Sequence, residues 1–109
     1  MSLKNRALKY FDAFSNKDFD ALELMFFAGS MLRDWEVKAH GKIEVFAAFK
    51  KIFDSVDTIT VVPIMMYEDG NVVIAELKII IDNKETILVT DVILFNESGR
   101  IVSIKAYKG

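Results

Sequence analysis

The stretch Glu85-Thr86-Ile87-Leu88-Val89-Thr90-Asp91-Val92-Ile93-Leu94-Phe95 decides how the rest of the chain is read. Its β-branched and aromatic content, bounded by Asp82-Asn83-Lys84 and Asn96-Glu97-Ser98-Gly99, predicts a strand between two tight turns. Side chains alternate across a strand. One face carries Ile87, Val89, Ile93 and Phe95, and the other carries Leu88, Val92 and Leu94. An antiparallel sheet with one wet face alternates apolar with polar residues. Here both faces call for cover. Asp91 interrupts the first face, and a carboxylate is costly to bury without partners.

Working outward, Thr58 to Tyr67 and Val72 to Ile81 precede this strand, and Arg100 to Tyr107 follows it. Turn residues separate each from the next, Glu68-Asp69-Gly70-Asn71 among them, which predicts an antiparallel meander. Pro63 cannot donate a ladder hydrogen bond, so it marks an edge, a bulge or a bend. The N-terminal half reads as helices. Ser2 caps a helix with Leu3, Ala7, Tyr10, Phe11 and Phe14 on its apolar side. Asp18 caps a second, with Phe19, Leu22, Met25 and Phe26 buried and Ala28-Gly29-Ser30 as its stop. Met31 to His40 reads as one or two short strands. Gly41 opens a third helix to about Phe53, with Ile43, Phe46, Ala47, Phe49 and Phe53 apolar.

Length and composition narrow the classes. With 109 residues the chain reads as a single domain, 1–109, large enough for its own core. The formal charge is −2, from 14 Lys plus Arg and 16 Asp plus Glu, so no basic surplus marks nucleic acid as a partner. No stretch is long and apolar enough to suggest a membrane span. There is no cysteine, which removes disulfides, thiolate metal sites and a cysteine nucleophile and fits a cytoplasmic protein. A single histidine, His40, leaves no multi-histidine metal site. It reads as a surface or capping residue. Met65 and Met66 read as gap-fillers, and Glu76 with Lys78 as a solvated or interface ion pair. The mean hydropathy of +0.26 is high for so small a chain. It points to a pocket, a subunit interface, or both. The expected cover for the second sheet face is another copy, giving a homodimer through that face. Shielding by loops and long side chains is the alternative.

Three residues stand out chemically. Asp91 in an apolar cleft would favour its neutral form, which can donate a hydrogen bond. Its other readings are a charge at a sheet edge or a partner of a buried base. Asp34 lies in Met31-Leu32-Arg33-Asp34-Trp35, beside a tryptophan able to wall a pocket; a surface ion pair with Arg33 or a nearby lysine is the alternative. Tyr10 is on a buried stripe, and its hydroxyl needs a partner, either a ligand or a backbone carbonyl.

The order of these elements resembles the nuclear transport factor 2-like superfamily, in its ketosteroid isomerase and SnoaL-like polyketide cyclase branch. The resemblance runs through Tyr10-Phe11-Asp12-Ala13-Phe14-Ser15-Asn16-Lys17-Asp18-Phe19-Asp20, Leu32-Arg33-Asp34 and Gly41-Lys42-Ile43. It continues through Asp91-Val92-Ile93-Leu94-Phe95-Asn96 and Gly99-Arg100-Ile101-Val102-Ser103. It implies an α+β, cone-shaped, cystatin-like fold. Three N-terminal helices would pack on a curved antiparallel sheet around a central apolar pocket, usually in a dimer.

By the same resemblance Tyr10 and Asp91 fall on the isomerase's oxyanion-hole donors, and Asp34 on its proton-shuttling aspartate. Phe14, Trp35, Phe49 and Phe53 would line the pocket. Trp35 stands where the isomerases have proline, and Phe49 where they have a second tyrosine. Both point away from a steroid-sized substrate. The implied activity is cofactor-free, metal-free proton transfer beside a carbonyl, as in an isomerase or cyclase, on a small apolar or carbonyl-containing molecule. Water activation by Asp34, in a lyase or epoxide-opening reaction, is a lesser option. A non-catalytic binding module and a dimerisation domain with a vestigial pocket are the alternatives.

Overall fold

A computed structural model describes residues 2–109. Helix α1 (Leu3–Ser15) starts at Ser2, whose hydroxyl accepts the Asn5 N–H. Helix α2 (Phe19–Met25) starts at Asp18, whose carboxylate accepts the Ala21 N–H. Strands β1 (Phe26–Arg33) and β2 (Lys38–His40) follow, then α3 (Lys42–Asp54). The long strands are β3 (Ile59–Asp69), β4 (Val72–Ile81), β5 (Glu85–Phe95) and β6 (Ile101–Lys108). The helices cover one face of a curved, unclosed sheet in the order β2-β1-β6-β5-β4-β3.

The predicted meander is present from β3 to β6, every neighbouring pair antiparallel. The sheet as a whole is mixed, because β1 runs parallel to β6. This long-range pairing also corrects the reading of Ala28-Gly29-Ser30. The segment does not stop α2; β1 begins at Phe26, directly after the helix, and runs through it. Ala, Gly and Ser are poor strand formers, and partnership with β6 overrides that preference. The strand is irregular there. Phe26 pairs with Ile101 and Met31 with Ser103, so the ladder shifts between them.

Pro63 sits on β3, one of the sheet's two edge strands, and the register slips between Pro63 and Met65. Edge and bulge therefore coincide. Helix α3 is rotated from its expected orientation. Val45, Phe49 and Phe53 are buried at intervals of four, whereas Ile43 is 89% exposed and Ala47 is exposed. The face is set by packing against β1 and α1, which the hydrophobic spacing alone could not select.

Polar contacts bind the helices to the sheet. Ser15 Oγ donates to the Phe11 carbonyl at 2.8 Å and accepts the Val61 N–H at 2.9 Å, joining α1 to β3. Lys17 Nζ donates to the carbonyls of Phe53, Val56 and Asp57 at 2.9, 2.8 and 3.1 Å. It thus closes the C-terminal end of α3, where a cation is favourable. Between helices and sheet lies an aromatic cluster of Tyr10, Phe11, Phe14, Phe26, Phe49 and Phe53, ring centres about 5 to 6 Å apart.

Candidate functional site

Curvature of the sheet leaves a cavity of about 260 Å³ between the helices and the inner face of β3 to β6. Its wall is chiefly aliphatic. Val61, Leu77, Ile79, Ile87, Val89 and Ile104 contribute from the strands, and Phe14 and Phe49 from the helices. Tyr10, Asp34 and Asp91 all reach this same cavity.

Asp91 is held on β5, a central strand, so it is not a charge at a sheet edge. It lies opposite Ala75 on β4 and Ala106 on β6. Alanine, the smallest side chain after glycine, thus flanks it on both sides and leaves space over the carboxyl. No base is buried with it; Ser30 is the other buried polar residue among those described. Burial pushes the carboxyl up to about 7, and the negative charge of Asp34 adds to the effect. A carboxyl so placed keeps its proton to far higher pH than a free aspartate does, and in that form it has a proton to donate.

Tyr10 lies in the middle of α1, its ring against Phe11, Phe14, Phe26 and Phe49. Burial pushes its hydroxyl well above the usual phenol range, and the charge of Asp91 pushes it further. It therefore stays a neutral donor. No hydrogen bond from the described residues engages the Tyr10 hydroxyl or the Asp91 carboxyl, and neither is a sealed orphan like Ser30 Oγ. Both open on the cavity, in place of the backbone partner that a core tyrosine would take.

Asp34 follows the last residue of β1. Its Oδ1 accepts the N–H groups of Glu36 and Val37 at 2.7 and 2.6 Å, and its own N–H donates to the Val37 carbonyl at 2.9 Å. This turn fixes the carboxylate at the cavity mouth, in place of a pair with Arg33. Trp35, 44% exposed, forms part of the rim, and Lys108 Nζ lies 5.8 Å from the centre of its ring.

Of the expected lining residues, Phe14, Trp35 and Phe49 reach the cavity. Phe53 does not. It packs behind Phe14 and against Phe19, ring centres 4.8 and 5.3 Å apart, because α3 presents Phe49 rather than Phe53 to the hollow. Of this aliphatic wall, sequence pattern marks only Ile87 and Val89, which share the parity of Asp91 on β5. Ala75, Ala106 and the rim residues Glu36, Ser55 and Val56 carried no sequence signal, since only strand register and the helix ends bring them here. His40 is exposed, its N–H donating to Glu44 Oε1 at 2.9 Å. Glu76 does not pair with Lys78; it accepts from the Tyr67 hydroxyl at 3.2 Å. Among the described residues no group of three or more His, Asp or Glu stands together as a metal site. No helix among them is long and apolar enough to cross a membrane.

Three helices on a curved, unclosed six-stranded sheet, with an apolar cavity between the two layers, define a protein of the mixed α+β class. More particularly, the chain belongs to the SnoaL-like domain family, whose model matches residues 7–104.

Solved structures share the architecture. A candidate polyketide cyclase from Sinorhizobium meliloti has a TM-score of 0.84 at 19% identity, covering 94% of this chain and 93% of that one. A candidate isomerase of the SnoaL-like family from Agrobacterium tumefaciens has 0.83 at 15%, covering 96% and 95%. An LEH-like epoxide hydrolase from M. tuberculosis has 0.81 at 17%, covering 96% and 80%. At such identities the likeness concerns the fold, and one fold hosts many reactions. No curated protein matches the chain.

Proposed function

We propose that this protein is a cofactor-free isomerase or cyclase acting on a small carbonyl compound. The observation that carries the reading is the meeting of Tyr10, Asp34 and Asp91 on one apolar cavity, with Asp91 pushed up to about 7. Asp34 is the general base. It takes a proton from the carbon beside the carbonyl. The electron pair of that C–H bond moves onto the carbonyl oxygen, giving an enolate. Tyr10 and neutral Asp91 donate hydrogen bonds to this oxygen without adding charge. In an isomerase the proton returns from Asp34 to a different carbon. In a cyclase the enolate carbon attacks a second carbonyl and the proton goes to the new alkoxide. The aliphatic wall lowers the local dielectric, which strengthens each of these contacts.

The size of the hollow supports a one- or two-ring substrate. At about 260 Å³ it lies just below the common range for small-molecule sites, roughly 300–1,000 Å³. A second copy covering the outer sheet face completes the reading, because no helix lies on that side and Tyr67, Ile74, Leu88 and Tyr107 are exposed there.

The test is deuterium uptake beside the carbonyl in a panel of cyclic enones and lactones in D₂O, followed by NMR. Exchange by the wild type that Asp34→Asn abolishes supports the proposal. Uptake of these compounds with no exchange supports a binding module instead.

A further inference from the structure

A second cleft, of about 590 Å³, adjoins the cavity and shares Asp34, Trp35 and Ala106 with it. Arg33, Lys105 and Lys108 line this cleft. Three cations there contrast with a chain whose overall charge is −2. None of the three makes an ion pair with a described residue; the two such pairs join Lys42 to Glu23 and Lys50 to Asp54. Asp34, the one carboxylate lining the cleft, is engaged through Oδ1 with its own turn.

Register places the cations relative to the cavity. Lys108 lies opposite Val89, a cavity-wall residue, so it stands on the inner face of the sheet. Asp91 lies opposite Ala106, two residues before Lys108, or about 7 Å along β6. Arg33 and Lys105 are partners in the β1–β6 ladder on the opposite face, where β1 ends. The cleft therefore wraps the end of β1, with Lys108 on the cavity side. Lys108 also lies over Trp35, which forms the rim between the two spaces.

Resting on the carbonyl-compound reading above, we infer that the ligand is an amphipathic acid. Its carbonyl end enters the cavity toward Tyr10 and Asp91, and a carboxylate at its other end is held in the adjoining cleft by Lys108, with Arg33 and Lys105 beside it. The cations would also draw an acid toward the mouth, an effect that salt screens. They fix which end enters first, because a carboxylate turned inward would meet Asp91 in apolar surroundings.

The test uses a matched pair, 6-hydroxy-2-naphthoate and 6-hydroxy-2-naphthamide, titrated into the protein by calorimetry at low salt. They share shape and hydroxyl and differ in the charge at the far end. The acid is expected to bind about tenfold more tightly than the amide, with the gap closing as salt is raised. Lys108→Gln, and the double variant Arg33→Gln/Lys108→Gln, should remove the advantage of the acid while leaving the amide unchanged. Lys84→Gln, in the β4–β5 turn, should alter neither. Equal binding of acid and amide, or an advantage that survives the double variant, overturns the anion proposal and leaves the cavity reading standing. Failure of both compounds to bind overturns the cavity reading and the proposal with it.

Discussion

Asp34 and Asp91, 57 positions apart in the sequence, wall one apolar cavity, and the charge on Asp34 adds to burial in pushing the Asp91 carboxyl up to about 7. The pair thus holds one carboxyl fixed as an acceptor in a turn and another poised to keep its proton. Two carboxyl groups in unlike surroundings are the arrangement that acid–base chemistry needs.

Stability should fall as pH rises. Asp91 titrates near 3.8 when unfolded and about 7 when folded, so the folded state holds its proton the more tightly between those values. The pH-dependent part of its cost is absent below about pH 4 and grows until about pH 7. Roughly three pH units at about 1.4 kcal/mol each give a ceiling of about 4 kcal/mol. Asp91→Asn, close in shape to the neutral acid, should therefore raise Tm at pH 8 and leave it little changed at pH 4. Melts followed by circular dichroism at both pH values check this. An equal effect at the two would contradict it.

Activity should decline through the same range. An ionised Asp91 cannot donate to the enolate oxygen, so the exchange rate should drop as pH rises through about 7. In Asp91→Asn the amide still donates and does not titrate. Its alkaline decline should be absent, at a rate reduced by less than the ~10²-fold loss that follows removal of a donor outright. The pH profiles of the two proteins, read by NMR exchange, make the comparison.

Asp34→Asn should separate chemistry from folding. The amide oxygen can still accept from the Glu36 and Val37 N–H groups, so the turn survives. Proton abstraction does not. The expected loss is about 10²–10⁴-fold in exchange rate, with a Tm close to wild type.

Two serines should answer differently to alanine. Ser15 Oγ both donates and accepts, bolting α1 to β3, and its removal leaves the Val61 N–H without that partner. The cost should be about 1–3 kcal/mol in urea unfolding. Ser30 Oγ is buried with no partner, so Ser30→Ala should be neutral or stabilising. A large loss at Ser30 would show that its hydroxyl is satisfied in solution.

The outer sheet face should mediate dimerisation. Leu88 is 55% exposed on that face, opposite Lys78 of β4, and Tyr107 lies across from the neighbouring Thr90. Light scattering should give twice 12.4 kDa for the wild type and a single chain for Leu88→Glu. A wild-type monomer would leave that face to be explained otherwise.

Tyr10 and Asp34 stood out through the family resemblance, while local sequence was enough to place the three helices, the four-strand meander, the irregularity at Pro63 and the misplaced carboxylate Asp91. These are local matters: side-chain period, turn chemistry and a charge out of place among Ile87, Val89 and Ile93 leave their mark in neighbouring residues. The tertiary structure alone decided the parallel β1–β6 pairing that turns Ala28-Gly29-Ser30 into strand. It also decided the rotation of α3 that hides Phe53 behind Phe14, and the alanines on either side of Asp91. Each depends on which segments meet across long sequence separations. Spacing along one strand or helix carries no information about the register of its partner, and that register sets where the cavity opens and which cations stand at its mouth.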